Sequence, residues 1–315
     1  MACREDHRIA VIVAAYNAAA TLERAARSAL AEPETAELLI VDDCSTDGTA
    51  ALADQLARED DRVRLLRMAA NSGPAAARNA ALEASSAPWI AVLDADDYFV
   101  SGRLAALLAE ADEAEFVADR LIRTPEGVEP AITLDPRRIG AISLEDFVLG
   151  NMGALQGPLD LGFVKPIFRR SFVAQHNMRY ADMRLGEDYE FYARALALGA
   201  RFLMIGPAGY VSVEREGSLS KDHSELDLRR LRDCDRTLAA IRPLSISEQR
   251  ALDRHYASVD CRLQWRRMIS AVKDRDAKRA LSTFTSPQST LYLTARLGEQ
   301  LWLRSIGRLA GRNSR

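Results

Sequence analysis

Short apolar runs alternate with amphipathic stretches through the first hundred residues. The runs predict four buried strands, at residues 9–14, 38–41, 63–67 and 89–93. The stretches between them predict helices, with buried faces such as that of Leu22, Ala25, Ala26 and Ala29. Alternating strands and helices are typical of an α/β fold, in which helices cover both faces of a mostly parallel sheet.

Polar segments follow each of these predicted strands. Right-handed crossovers place the carboxyl ends of parallel strands on one edge, so we expect these segments to lie close together. Open α/β sheets bind their ligands at that edge. The segments are residues 15–17, 42–43, 71–74 with 78–79 behind them, and 94–97.

The pattern changes character near residue 220. Before it, we expect helices at 104–111, 144–149 and 185–198, strands at 115–123, 201–205 and 209–213, and an irregular segment at 130–140. After it, arginine-rich helical patterns occupy residues 226–241, 247–273 and 291–309. We therefore predict an α/β domain over residues 1–220 and a helical extension over residues 221–315.

Composition narrows the class of protein. The 315 residues are 48% hydrophobic and 28% charged, which is ordinary for a globular chain, and the net charge of −3 argues against nucleic acid as the main partner. Four widely spaced cysteines favour reduced thiols. With no apparent secretory signal or membrane span, these features predict a cytoplasmic protein.

Three carboxylates follow the apolar run at residues 89–93 within four positions: Asp94, Asp96 and Asp97. On an extended backbone, side chains two residues apart share a face, so we expect Asp94 and Asp96 to point the same way. Two hard oxygen ligands suit a divalent cation that keeps open positions for phosphate oxygens. The alternative is a solvated acidic turn.

Five ordered motifs resemble those of family 2 glycosyltransferases with a Rossmann-like GT-A fold. The resemblance covers roughly the first 220 residues. One departure is Ala14, where the family pattern usually has proline. The motifs are VIVAAYN (11–17), IVDDCSTDGT (40–49), NSGP with ARN (71–74 and 77–79), LDADD (93–97) and GED (186–188).

The resemblance implies a nucleotide-sugar donor. Asp43 would accept a hydrogen bond from the base, and Arg78 would lie near the base or the diphosphate. Asp96 would hold Mg²⁺ or Mn²⁺ on the diphosphate, with Asp94 turned toward the ribose or the waters of the metal. The implied donor-binding residues are Ala15, Tyr16, Asn17, Asp43, Asn71, Gly73, Arg78, Asp94, Ala95, Asp96, Arg215, Ser218 and Ser220.

The acid pair Glu187 and Asp188 is the second implied centre. Family members use the aspartate as general base, which takes the proton of the acceptor hydroxyl as its oxygen attacks the anomeric carbon. Glu187 would orient Asp188 or bind acceptor hydroxyls. A single base suits one displacement with inversion, so that an α-linked donor gives a β-linked product. The alternative is an acid pair favoured by the helix dipole.

The segment 215–220 resembles a family segment that closes over the diphosphate. Arginine and hydroxyl groups are suitable donors to phosphate oxygens, which gives Arg215, Ser218 and Ser220 their implied role. A plain polar turn is the alternative.

Residues 162–169 and 178–189 are more narrowly similar to bacterial exopolysaccharide glucosyltransferases of the succinoglycan ExoO type. This similarity implies UDP-glucose as donor and a glycan or lipid-linked oligosaccharide as acceptor, at the cytoplasmic face of the inner membrane. Lys165 and Asp97 are the candidate acceptor contacts.

Leucines alternate with arginines in the last predicted helix, which includes Leu297, Trp302, Arg304 and Arg308. A basic amphipathic helix can lie on an anionic membrane surface. It can equally pack on the catalytic domain or on the partner in a homodimer.

Other functions stay open at this point. A nucleotidyltransferase would need a glycine-rich phosphate loop with a basic residue after the first strand, and the residues after position 14 lack both. In a non-catalytic nucleotide-binding or scaffold protein, Asp188 would have no catalytic role.

Overall fold

The computed structural model describes residues 5–152, 161–215 and 223–310. The strands are β1 (Ile9–Ala15), β2 (Thr35–Asp42), β3 (Val63–Arg67), β4 (Trp89–Val92), β5 (Tyr98–Phe99), β6 (Phe116–Asp119), β7 (Ile122–Pro125), β8 (Arg138–Ile142), β9 (Ile167–Arg169), β10 (Phe202–Ile205) and β11 (Tyr210–Glu214). The helices are α1 (Leu22–Leu30), α2 (Thr49–Glu59), α3 (Pro74–Ala84), α4 (Arg103–Leu108), α5 (Leu144–Gly150), α6 (Arg170–Gln175), α7 (Glu187–Ala197), α8 (Glu225–Ala239), α9 (Ile246–Lys273), α10 (Ala277–Leu281) and α11 (Pro287–Ala310).

The main sheet has the strand order β3-β2-β1-β4-β9-β6-β10-β8. Strands β1 to β4 run parallel, as do β6 and β10, whereas β9 and β8 run antiparallel to their neighbours. The prediction of a mostly parallel α/β sheet is therefore confirmed. A smaller sheet has the order β5-β11-β7.

Strand β1 shows why the first hundred residues fold this way. Ile9, Val11 and Val13 pack into a core that also contains the buried face of α1. The alternate side chains of Ala10 and Ile12 are also fully buried. A strand covered on both faces must be apolar at every position, as this run is.

The structure of two segments differs from the secondary structure predicted for them. Residues 115–123 form two strands, β6 and β7, which belong to different sheets. The strand breaks after Asp119, whose buried carboxylate is bound by groups from elsewhere in the chain. The segment predicted as irregular, residues 130–140, contains the start of β8, whose backbone pairs with β10 at the edge of the main sheet.

The chain divides into two compact units. One contains residues 1–221 and 240–243, and the other contains residues 222–239 and 244–315. The second unit is helical, and the predicted C-terminal helices correspond to α8, α9 and α11. Within it, His255 Nδ1 lies 2.8 Å from Asp235 Oδ2, which joins α9 to α8. No helix in the described ranges is long and apolar enough to cross a membrane.

Candidate active site

The loops that follow β1, β2 and β4 meet at one edge of the main sheet. The Asp43 N–H donates to the Ala15 carbonyl at 2.8 Å, just beyond the paired ends of β2 and β1. The Leu93 N–H donates to the Ile12 carbonyl at 3.1 Å, which holds the end of β4 against β1. Polar groups far apart in sequence therefore become neighbours here.

The loop after β1 presents one aromatic ring. Ala15 is buried, whereas the Tyr16 side chain is 49% exposed. Asn17 has a left-handed backbone with φ of 50°. Its N–H donates to Ser45 Oγ at 3.0 Å, and its Oδ1 accepts from the Thr46 N–H at 2.9 Å. Asn17 thus links the first two loops, and the Tyr16 ring is exposed at the surface of the first loop.

The Asp43 carboxylate is buried and joins the second loop to the third. Its Oδ1 accepts from the Ser72 N–H and its Oδ2 from the Gly73 N–H, each at 2.8 Å. Gly73 has φ of 85°, a conformation that glycine adopts without strain, and Asn71 beside it is exposed. Each carboxylate oxygen has a second lone pair, so the contact of Asp43 with a base stays a prediction.

Two cations and three carboxylates form a cluster behind these loops. Arg78 Nη2 donates to Asp94 Oδ1 and Nη1 to Glu187 Oε1, each at 2.9 Å, and Nη1 lies 3.3 Å from Asp188 Oδ1. Lys165 Nζ donates to Asp188 Oδ2 at 2.5 Å and lies 3.0 Å from Asp94 Oδ2. Arg78 is 5% exposed and Lys165 is 6% exposed. We call these five residues the charge cluster.

Opposite charges favour the ionised forms of Asp94 and Lys165 in the charge cluster. Burial would raise the pKa of Asp94, but Lys165 and Arg78 together lower it to about 2. Burial would likewise lower the pKa of Lys165, but Asp188 and Asp94 raise it well above its ordinary value. The Asp94 carboxylate and the Lys165 ammonium group are therefore both charged at neutral pH.

Four separate elements supply the charge cluster. Arg78 lies on α3, and the next residue, Asn79, fastens that helix to the chain leading into α7. Asn79 Nδ2 donates to the Tyr180 carbonyl and Asn79 Oδ1 accepts from the Tyr180 N–H, each at 2.8 Å. Gly186, with φ of 76°, then turns the backbone into α7, so that Asp188 lies in its first turn. Such a position favours a negative charge.

The acidic motif after β4 forms a turn. Strand β4 ends at Val92, and the Asp97 N–H donates to the Asp94 carbonyl at 3.1 Å. The expectation that Asp94 and Asp96 share a face assumed an extended backbone. That assumption is wrong, because the two residues lie in a turn. The turn is held by the Asp97 side chain, which accepts from the Tyr210 hydroxyl at 2.9 Å and the Val213 N–H at 2.8 Å.

These hydrogen bonds hold the Asp97 side chain toward the interior of the protein. The residue is buried, and burial, followed by the neighbouring charge of Asp94, raises the pKa of Asp97 to about 7. Both of its oxygens join the turn to β11, an arrangement that supports a structural role. The geometry gives no support to the acceptor contact that the sequence suggested for Asp97.

Asp96 lies at the tip of this turn, partly buried, beside the buried Ala95. Burial and the charge of Asp94 raise the pKa of Asp96, while Arg215 opposes the rise. Arg215 Nε also lies 3.3 Å from Glu126 Oε1. Arg215 is thus close enough to Asp96 to act on its charge. Ser218 and Ser220, predicted with it, lie outside the described residues.

The donor set fits a cation that binds together with its ligand. No group of three or more histidine, cysteine or acidic side chains within the described ranges could hold a metal alone. Both oxygens of Asp94 are paired with cations, Oδ1 with Arg78 and Oδ2 with Lys165. Asp96 remains as a hard oxygen ligand, and Mg²⁺ typically takes one or two carboxylates together with phosphate oxygens and waters.

The sequence analysis missed a buried pair beneath the charge cluster. Arg103 and Asp119 are 0% exposed, and Arg103 Nε and Nη2 donate to Asp119 Oδ1 at 3.1 and 2.8 Å. Arg103 Nη2 also donates to the Lys165 carbonyl at 2.6 Å. The available signal was that Asp119 ends a strand of the same sheet. No spacing rule points to Arg103, because it lies 16 residues earlier on α4.

The sequence has close relatives of known family. The model of Glycosyl transferase family 2 matches residues 10–151. The succinoglycan biosynthesis protein ExoU of Rhizobium meliloti (strain 1021) is 40% identical over 280 residues, which are 86% of this chain and 81% of the relative. WfaP of Escherichia coli, a UDP-Glc:alpha-D-GlcNAc-diphosphoundecaprenol beta-1,3-glucosyltransferase, is 26% identical over 196 residues, 61% of this chain and 72% of the relative.

Solved structures agree on the fold. The crystal structure of S. aureus TarS 1–349, in complex with UDP-GlcNAc, superposes with a TM-score of 0.60 at 18% identity and covers 92% of each chain. The resemblance to succinoglycan enzymes and the GT-A fold expected from the five motifs are both confirmed. This chain therefore belongs to glycosyl transferase family 2 and is a transferase.

Proposed function

We propose that this glycosyltransferase moves a sugar, with glucose favoured, from a UDP-sugar to a glycan or lipid-linked oligosaccharide during exopolysaccharide biosynthesis. Inversion would accompany the transfer, with Asp188 as general base. The names of two relatives support this assignment, since ExoU acts in succinoglycan biosynthesis and WfaP uses UDP-Glc with a diphosphoundecaprenol acceptor.

The donor half of the proposal rests on the three loops at the sheet edge. The exposed ring of Tyr16 would offer a surface for the base or ribose, and the lone pair that remains on each Asp43 oxygen would accept from the base. TarS, which shares the fold, was crystallised with UDP-GlcNAc and with UDP. A UDP-sugar is therefore the donor class we assign to this edge.

A divalent cation, Mg²⁺ or Mn²⁺, would bind the donor diphosphate through Asp96. When bound, such a cation offsets the charge that develops on the departing diphosphate. Asp94 would act differently, since its two ion pairs tie it to Arg78 and Lys165. Arg215, which lies near Asp96, would donate to the phosphate oxygens.

Asp188 would take part in the bond exchange itself. The acceptor oxygen attacks the anomeric carbon while its proton passes to the Asp188 carboxylate. The bond from that carbon to the diphosphate oxygen breaks, and its electron pair leaves with UDP. Because one displacement occurs on the face opposite the leaving group, the anomeric configuration inverts.

The observation that carries this proposal is the state of the Asp188 carboxylate. Its Oδ2 is held by Lys165, whereas its Oδ1 is buried and accepts no hydrogen bond from the described residues. Arg78 Nη1 lies 3.3 Å from that oxygen, but the geometry is that of an ion pair without a hydrogen bond. A buried acceptor without a donor costs about 1–3 kcal/mol, which a hydroxyl donor from the acceptor sugar would recover.

Calorimetric titration tests the donor site. We expect UDP to bind the wild type with Mn²⁺ present and to bind weakly after chelation, with GDP binding less tightly. Asp96→Ala should lose the effect of Mn²⁺, whereas Asp112→Asn, a change at an exposed acid, should keep it. Metal-independent UDP binding by both proteins would contradict the role of Asp96, and failure of a folded wild type to bind any nucleotide would contradict the donor assignment.

The sugar and the stereochemistry need a product assay. We expect UDP-glucose to be consumed faster than UDP-galactose or UDP-GlcNAc, and proton NMR to show a β-linked product from the α-linked donor. Retention of the α configuration would exclude single displacement with Asp188 as base. Preference for another UDP-sugar would change the donor sugar and leave the mechanism intact.

Contact with a membrane surface or a second subunit stays a proposal for α11. Leu291 and Trp302 on this helix are 73% and 62% exposed, whereas Leu293 is buried within the helical unit. Exposed leucine and tryptophan beside arginines suit an anionic surface. Sedimentation with phosphatidylglycerol vesicles should fall for Trp302→Ser. Unchanged sedimentation would favour packing on protein.

A further inference from the structure

Lys165 occupies the middle of the charge cluster. Its ammonium group contacts both the donor-side acid Asp94 and the proposed base Asp188, as the Arg78 guanidinium also does. The Lys165 side chain is almost fully buried, which is rare for lysine unless its charge is paired. A buried ammonium group with two carboxylate partners holds those partners in a fixed geometry.

The hydrogen bonds of Asp188 single out Lys165. Among the residues that the structure describes, Lys165 is the only hydrogen-bond donor to the Asp188 carboxylate. The guanidinium of Arg78 instead directs its hydrogen bonds to Glu187 and Asp94. A catalytic base is commonly oriented by a third group bonded to its other polar atom, which is the relation between Lys165 and Asp188.

The backbone of Lys165 is itself fixed from the core. Arg103 Nη2 donates to the Lys165 carbonyl at 2.6 Å, and Arg103 is held by Asp119. Asp119 Oδ2 in turn accepts from the N–H groups of Ala208, Gly209 and Tyr210 at 3.1–3.2 Å. A continuous chain of buried polar contacts therefore runs from the sheet to the proposed base.

We infer that Lys165 is a positioning residue that fixes the Asp188 carboxylate and ties it to Asp94 on the donor side. This inference rests on the proposed function, because it assigns Lys165 to the base of that reaction. It replaces the direct acceptor contact that the sequence suggested for Lys165: the ammonium group is directed at two carboxylates of the protein. Lys165 thus acts through Asp188.

The test compares variants of Lys165 by the rate of UDP release from UDP-glucose, UDP-galactose and UDP-GlcNAc with Mn²⁺, water serving as acceptor. We expect Lys165→Met to lower kcat about 100-fold, within the range of general-base effects, while KM for the donor and Kd for UDP change less than about threefold. Lys165→Arg, which keeps the charge, should recover at least about tenfold. Lys273→Met, at an exposed lysine, is the matched control and should match the wild type.

A double variant separates positioning from an independent role. If Lys165 acts through Asp188, then Asp188→Asn combined with Lys165→Met should be no slower than Asp188→Asn alone. Lys165→Met alone leaves the Asp188 carboxylate without its main cation. The double variant removes one charge of each sign and keeps the net charge of the cluster, so we expect it to fold even where Lys165→Met does not. Lys165→Gln, which keeps a hydrogen-bond donor, is the second single variant.

Three results would overturn the inference. Multiplicative losses in the double variant would show that Lys165 acts independently of Asp188. A loss of UDP affinity matching the loss of kcat would place Lys165 in donor binding, and wild-type kcat in Lys165→Met would remove its role. The proposed function fails separately, if Asp188→Asn keeps full activity or the wild type releases UDP from none of the three donors.

Discussion

The charge cluster and the buried Arg103–Asp119 pair are neighbours in the first compact unit. They differ in how many hydrogen bonds the carboxylates Asp119 and Asp188 accept. Asp119 accepts two hydrogen bonds from Arg103 and three from backbone N–H groups, and both residues are 0% exposed. Asp188 accepts one hydrogen bond, from Lys165, and its Oδ1 accepts none from the described residues. The first acid is saturated and the second is not.

The difference separates an acid that supports the fold from one that can meet a ligand. A carboxylate with all its positions filled cannot take a proton from a substrate without losing bonds. An acid with an open position can, and it lies at the sheet edge where ligands of α/β folds bind. The saturated pair also supports the open one, because Arg103 bonds the carbonyl of Lys165.

The same substitution should destabilise the protein strongly at Asp119 and little at Asp188. Asp119→Asn leaves the Arg103 guanidinium buried without a counter-charge, which we expect to lower the free energy of unfolding by about 3–5 kcal/mol. Asp188→Asn leaves two carboxylates with two cations, so we expect a change below about 1 kcal/mol. Urea unfolding of both variants measures the contrast, and equal losses would contradict it.

The two hydrogen bonds between the Asn79 side chain and the Tyr180 backbone, which we call the Asn79 clamp, should affect both stability and catalysis. The expected loss of stability is smaller than that for Asp119→Asn. Asn79→Ala removes both hydrogen bonds to the Tyr180 backbone, and we expect unfolding to become easier by about 1–2 kcal/mol. Because the clamp fastens α3 to the chain before α7, kcat should fall while UDP affinity stays within about threefold. Wild-type kcat in a destabilised Asn79→Ala would show that Asp188 is positioned without the clamp.

Asp97 should make a smaller contribution to the free energy of unfolding, and one that depends on pH. Burial raises the pKa of Asp97 to about 7 in the folded protein, against about 3.9 for an unperturbed aspartate. The folded state therefore binds a proton that the unfolded state has released, so the stabilisation is complete below pH 4 and is lost as the pH rises through 7. Urea unfolding at pH 5 and pH 7.5 with EDTA should show a steeper loss in the wild type than in Asp97→Asn. Parallel losses would contradict the raised pKa.

The sequence predicted the parallel part of the fold well, because strands buried on both faces leave a strong apolar signal. Runs such as that of β1 are apolar at nearly every position. It predicted β6 and β7 as one strand, because the break after Asp119 depends on partners from β11 and α4 that no local pattern reveals. Register and sheet membership of short strands such as β9 are tertiary outcomes.

The site was predicted in the same uneven way. The strand pattern placed the segments of Asp43, Arg78 and Asp94 at one edge of the sheet, although the individual roles of these residues stay predictions. It did not place Asp188 there, which meets Asp94 through Arg78 and Lys165. The turn at Asp94–Asp97 was missed, because it is held by Tyr210 and Val213, more than a hundred residues away. The pairing of Lys165 with two acids likewise depends on three distant elements meeting.

The most direct test of the account is a pair of measurements on Asp188→Asn: the rate of UDP release from UDP-sugars, and the affinity for UDP by calorimetry. The account predicts a folded protein whose kcat falls about 10²- to 10⁴-fold while Kd for UDP stays within about threefold. A variant that keeps wild-type kcat, or one that loses UDP affinity and rate together, would contradict the role of the unsaturated acid as general base.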